Sequence, residues 1–106
     1  MPKFLVEVQY TAEGAVGLMA EGGSSRVAAS KTLMESLGGS IESFYFAFGE
    51  TDAYIVIEAP DNVSAAAAAL ITRASGGIVS GMTLLATPEE IDTAAKKHGN
   101  FRPPGR

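Results

Sequence analysis

A carboxylate and an amide alternate with apolar residues between Lys3 and Tyr10, so Glu7 and Gln9 fall on one side of an extended chain. A glutamate shut away from water on such a face resists ionisation and can act as a general acid or base. The same side chain hydrogen-bonded at a subunit interface, or reaching water at an edge, does no chemistry. Tyr45 and Tyr54 lie in two further extended segments and offer phenolic donors to a ligand on that face; they also read as ordinary strand aromatics with a polar tip. Glu7, Gln9, Tyr45 and Tyr54 are therefore the candidate ligand-binding set, with Glu7 the first acid/base candidate.

Two other places carry suitable residue types. Gly22-Gly23-Ser24-Ser25-Arg26 brings backbone N–H groups, two hydroxyls and a guanidinium to a helix start, which suits either an anion or a plain cap with Ser24 at the N-cap. His98 is the only histidine and follows Ile91 and Ala95 at helical spacing. It is the second acid/base candidate, beside a structural role at the negative end of a helix, where Lys96 and Lys97 also fit. Asp52 follows a turn and reads as an Asx-type bond to that turn.

Much chemistry is excluded by composition. With no cysteine there is no thiolate nucleophile, disulfide or sulfur-ligated metal, and one histidine cannot build a histidine metal cluster, so no metal is expected. No phosphate-binding glycine loop, zinc-protease helix or nucleophile elbow occurs, and no cofactor is implied. A net charge of −4 gives no footprint for nucleic acid or an anionic membrane. The chain opens into a strand without a leader pattern, and its apolar helical run, Ala65 to Ile71, is far short of the roughly 20 residues that span a bilayer. A cytoplasmic protein is the expectation.

The elements that must position these residues follow from periodicity. Lys3 to Tyr10 alternates as a half-buried strand, and Thr11 to Gly23 suggests a short helical turn ending at paired glycines. Ser25 to Leu37 is a helix with Ala29, Leu33 and Leu37 towards the core, closed by Gly38-Gly39. Ile41 to Phe48 and Ala53 to Ala59 form a hairpin, the first with Phe44, Phe46 and Phe48 on one side. Asp61 caps an alanine-rich helix that stops at Gly76-Gly77. Ile78 to Ala86 is a fourth strand, where Gly81 marks a bulge or an edge. Thr87-Pro88-Glu89-Glu90 spells a capping box that starts a last helix reaching about His98.

The order β-α-β-β-α-β plus one helix predicts an α+β, ferredoxin-like domain over residues 1–99, with residues 100–106 as an extended tail over a neighbour. Right-handed crossovers place the first and third strands centrally and the main helices on one face of the antiparallel sheet. The phenylalanine and valine series should meet those helices. Leu5, Glu7, Gln9, Tyr45, Ala47, Tyr54, Val56 and Glu58 are left on an amphipathic second face, which suits sheet-to-sheet pairing of two copies around a cavity.

Tyr10-Thr11-Ala12-Glu13-Gly14, Glu21-Gly22-Gly23-Ser24, Glu35-Ser36-Leu37-Gly38-Gly39, Phe44 to Gly49, Thr87 to Glu90 and Arg102 to Gly105 together resemble the GYD-domain family, within the dimeric α/β-barrel group of ferredoxin-like folds. The resemblance implies a homodimer over nearly the whole chain and transfers no catalytic residue. The Gly-Tyr-Asp segment itself is altered: Glu50 and Thr51 separate Gly49 from Asp52, and Tyr54 follows two residues later. Three readings result. The first is a cofactor-free homodimer binding a small, partly apolar molecule. The second is a cofactor-independent monooxygenase or isomerase using Glu7 or His98, and the third a structural or regulatory assembly module.

Overall fold

The computed structural model describes residues 1–106 as one four-stranded sheet and four helices. Strands β1 (Lys3–Tyr10), β2 (Ser40–Phe46), β3 (Ala53–Glu58) and β4 (Ile78–Leu85) pair antiparallel in the order β2-β3-β1-β4. This is the predicted α+β arrangement, compatible with a ferredoxin-like fold, with the first and third strands central. Val6 lies opposite Ile55 on one side and Met82 on the other. That register aligns Phe4, Val6 and Val8 with Ile57, Ile55 and Ala53, and all six are buried beneath the helices. Alternation of side chains along each strand sends Leu5, Glu7 and Gln9 to the opposite face.

Three helices cover the apolar face. α1 (Ala12–Glu21) is a full helix of 10 residues rather than the short turn that its glycines suggest. Thr11 explains the difference: its hydroxyl accepts from Gly14 N–H and donates to the Gly76 carbonyl, capping α1 and fastening it to the turn before β4. α2 (Gly23–Ser36) is separated from α1 by the single residue Gly22, which closes one helix and opens the next at φ 83°. The predicted Ser24 cap is thus displaced, because the bend needs a positive φ that glycine adopts without strain.

The buried face of α2 also differs from expectation. Ala29 is exposed, whereas Met34 is buried and Arg26, Ser30 and Leu33 line the space above the sheet. A strict step of four rotates by roughly 40° per turn around a helix of 3.6 residues per turn, so Ala29 falls off the contact stripe while Leu33 and Leu37 stay on the core side as expected. α3 (Asn62–Ala74) is capped by the Asp61 carboxylate, which accepts from Ser64 N–H at 2.7 Å, and it presents Ala65 and Ala68 to the core. The small side chains let this helix lie close to β4.

β2 is shorter than expected. A bulge between Ile41 and Ser43 leaves Glu42 unpaired, and the strand stops at Phe46, so Phe48 lies in the turn fully exposed instead of joining Phe44 and Phe46 against the helices. β4 is an edge strand, as Gly81 suggests, with no bulge in its pairing to β1. α4 (Pro88–Ala95) begins with the predicted capping box, Thr87 and Glu90 bonding each other's backbone N–H at 3.1 and 2.9 Å. It ends before His98, and none of its residues is buried. The tail is not uniformly extended: Arg106 N–H donates to the Pro103 carbonyl and closes a turn.

α1 approaches the α3–β4 turn so closely that a methyl group at Gly14 would stand 1.9 Å from the Gly77 carbonyl oxygen, whereas one at Gly17 would meet nothing within 4 Å. Gly14→Ala is expected to lower stability by about 1–3 kcal/mol through overpacking. Gly17→Ala, in the same helix, is expected to raise it by about 0.5–1 kcal/mol. Urea midpoints of the two variants check both signs; equal midpoints would mean that α1 is not docked through Gly14.

Candidate functional site

The strand register assembles the predicted ligand set on the uncovered face. Tyr45 pairs with Tyr54, Tyr54 with Glu7, and Glu7 with Gly81, so these four residues form one row across β2, β3, β1 and β4. Both tyrosines and Glu7 are exposed in the single chain. A glutamate in this position is not desolvated, and only a cover over the face would make it so. The row below is Ser43, Val56, Leu5 and Thr83, more apolar and half buried at Val56 and Leu5. At the end of the face Lys3 holds Glu42 at 2.9 Å and Glu58 at 3.5 Å, a charged rim. Because Gly81 has no side chain, a hollow of about 220 Å³ opens beside Glu7, lined also by Gln9, Thr51 and Val79.

Gln9 and Asp52 have structural work at the upper end of the sheet. Gln9 donates its amide to the Glu50 carbonyl at 2.8 Å, holding the β2–β3 turn from the open face. The Asp52 carboxylate accepts from the Tyr10 backbone N–H at 2.9 Å, and Asp52 N–H donates to the Val8 carbonyl at 2.8 Å. Asp52 therefore ties the hairpin to the central strand rather than making the Asx bond to its own turn. The reason is register: β1 runs past the end of β3, and its last N–H would otherwise face the turn unpaired.

The other candidates are dispersed. Ser24 and Ser25 are exposed, while Arg26 turns inward beneath α2 and pairs with Glu21 at 3.5 Å, so the three do not converge on one anion. The physical cause is helix geometry, which sends consecutive residues about 100° apart around the axis. His98 lies beyond α4, exposed, with its helical spacing from Ile91 lost. No group of three or more histidine, aspartate or glutamate side chains comes together as a metal would require.

Sequence reasoning missed a different place. Tyr10, on the helix side of β1, and Arg26 stand together where two hollows meet. One is an apolar cleft of about 60 Å³ above the sheet, and the other, of about 130 Å³, lies between α1 and Ser75–Gly77. Burial pushes the Tyr10 phenol up; Arg26 opposes this and the carboxylates of Asp52 and Glu21 add to it. Tyr10 is therefore a neutral donor under ordinary conditions. The signal in the sequence is a phenol ending an otherwise apolar strand face, and an arginine on the buried side of a helix.

The class that this architecture defines is an α+β domain with an open antiparallel sheet, one face under helices and the other carrying a mixed polar and apolar row. The GYD domain family model matches residues 4–95 of this chain, and the chain belongs to that family. No curated protein matches it. No helix is long and apolar enough to cross a membrane.

Tyr10 supplies a pH test. An unfolded tyrosine ionises near pH 10.0, but the folded chain keeps this phenol neutral to higher pH. The resulting stabilisation is whole below pH 10.0 and is lost as pH climbs through the raised value, because the unfolded state sheds its proton first. Stability should decline above that point, and Tyr10→Phe should flatten the decline. Ultraviolet titration should show one late phenol in the native chain and none in the variant; an unchanged titration would mean that Tyr10 is open to water.

Proposed function

We propose that the protein is a homodimeric small-molecule-binding domain that uses no cofactor, with two copies meeting through their open sheet faces and the Tyr45, Tyr54, Glu7, Gly81 row lining the enclosed space. The observation that carries the reading is this row, an acid and two phenols beside a hollow, on a face that no part of the chain covers. A face with an apolar middle and a charged rim has the anatomy of a protein interface.

Surface area supports a second copy. A compact monomer of 10.9 kDa exposes about 5,600 Å². This chain exposes 7287 Å², an excess of roughly 1,700 Å², while a standard interface buries about 800 Å² per partner. The radius of gyration, 16.8 Å, also exceeds the ~13 Å of a compact domain of this length. α4 has no buried residue, and Ile91 on it and Phe101 in the tail lie uncovered.

Charge gives that arm a destination. Residues 96–106 carry four basic and no acidic side chains, whereas residues 1–95 carry four basic and twelve acidic ones, a balance of +4 against −8. A second copy offers the arm both an acidic body and an apolar surface. Enclosure by that copy would also desolvate Glu7 and fit it for proton transfer; without a substrate in the cavity the same assembly is a binding or scaffolding module.

Gly81→Val separates these roles, since a methyl group at Gly81 meets nothing within 4 Å of the chain and valine favours a strand. The variant should fold at least as stably as the parent and weaken the dimer or expel a bound molecule by about tenfold or more, as expected for overpacking an interface. Native mass spectrometry of both proteins reads dimer and ligand mass together. A parent dimer with a reproducible added mass supports ligand binding, a bare dimer favours assembly, and a monomer removes the proposal.

A further inference from the structure

The corner of the helix side where α1 meets the β2–β3 turn is apolar and uncovered. β2 stops at Phe46, and Gly23 at the start of α2 offers that ring no side chain; a methyl group there would stand 3.0 Å from it. Leu18 of α1 and the exposed Phe48 of the turn flank an open trough of about 450 Å³, lined also by Tyr10, Ala15 and Asp52. Sites that hold drug-sized molecules start at about 300 Å³, so the trough has room for one aromatic side chain and its neighbours.

Its charge is one-sided. Asp52 lines the trough and Glu50 lies in the same turn as Phe48. The chain's three ion pairs, Lys3 with Glu42 and with Glu58 and Arg26 with Glu21, leave both carboxylates without a cation. The complementary surface is the arm beyond α4. Phe101 is 81% exposed there, and Lys96, Lys97, Arg102 and Arg106 on either side of it take part in no ion pair. An apolar anchor between cations matches an apolar trough beside carboxylates.

Topology decides whose arm arrives. The trough lies on the β2 side at the Phe46, Ala53 and Val8 end of the sheet, whereas α4 follows Leu85 at the other end of the other edge strand, β4. Trough and arm thus sit at diagonally opposite corners of one chain. A two-fold axis in the open-face interface, along the sheet's other diagonal, exchanges these corners between two copies. It crosses their strands near a right angle, one of the two usual ways in which sheets stack. From its own sheet the arm must span the ~10 Å between stacked sheets and round the β2 edge of the partner. With eight residues α4 is roughly 12 Å long, and residues 96–100 add up to roughly 17 Å when extended, so Phe101 has the reach.

We propose that the C-terminal arm of each copy clasps the other, Phe101 entering the trough between Leu18 and Phe46 while the arm's cations meet Asp52 and Glu50. The clasp rests on the face-to-face dimer proposed above and adds two symmetric anchors to it.

Because the chain has no tryptophan, Phe101→Trp in the full-length protein is a single reporter that keeps an aromatic anchor. Its emission, followed across a dilution series beside sedimentation, is expected to be blue-shifted in the dimer and to reach the solvent-exposed value as the dimer dissociates. Phe101→Ser should raise the dimer dissociation constant about tenfold or more, the scale of uncovering one buried phenylalanine. Ala15→Lys, at an exposed α1 position that lines the trough, should return the Phe101→Trp chain to solvent-exposed emission with its helix content intact by circular dichroism. A dimer whose tryptophan stays exposed, or ignores Ala15→Lys, or a Phe101→Ser dimer of unaltered affinity, overturns the clasp and leaves the open-face dimer standing. Blue-shifted emission from a species that sediments as a monomer places the arm on its own chain and overturns the clasp as well. Exposed emission from a monomer at every concentration removes the dimer and the clasp together.

Discussion

Every feature of this molecule depends on β1 being paired on both sides. As the inner strand between β3 and β4 it fixes the register of both, and its alternation assigns each residue to one of two environments. Phe4, Val6 and Val8 make the surface that three helices need, while Leu5, Glu7 and Gln9 make the one that they leave free. A slip of one residue would exchange these sets and place Glu7 beneath the helices without a partner. The Asp52 and Gln9 bonds to the two ends of the β2–β3 turn guard against that slip, since both join the hairpin to one position on β1.

The second constraint is the width of the helix layer. Only ten of 106 residues are buried, and no large side chain is fully so. Alanine at positions 65 and 68 brings α3 close to the sheet but leaves little volume to bridge towards α2. The same economy that seats α3 opens the cleft beside it. Arg26 then spans the mouth of that cleft, its stem among apolar atoms and its head against Glu21, in the usual manner of a long cationic side chain.

Strand order, the hairpin, the caps at Asp61 and Thr87 and the split of β1 into two faces were legible in the sequence, because each is written in local spacing. The open-face row was legible to the extent that parity assigns a face; opposing Glu7 to both Tyr54 and Gly81 required the register. What escaped reading arose from geometry that spacing does not encode. The bulge at Glu42 changed the phase at the start of β2, and the early strand end at Phe46 released Phe48. The shared cap at Gly22 moved the start of α2, and rotation about that helix took Ser24 and Ser25 away from Arg26. Tyr10 looked like one more core aromatic because its neighbours in space come from α1, α2 and a turn over 60 residues distant.

The two outer edges of the sheet are not alike. β2 is interrupted by its bulge and carries Glu42 pinned by Lys3, a poor template for a further strand. β4, Ile78–Leu85, has neither proline nor charge along its length, so its outward N–H and C=O groups stay available. Strand addition is therefore possible from one flank only. Two chains joined β4 to β4 would expose only their β2 flanks, and the growing sheet would end there. In such a pair the irregularity at Glu42 would act as a terminator, where symmetrical edges would let the sheet propagate into fibres.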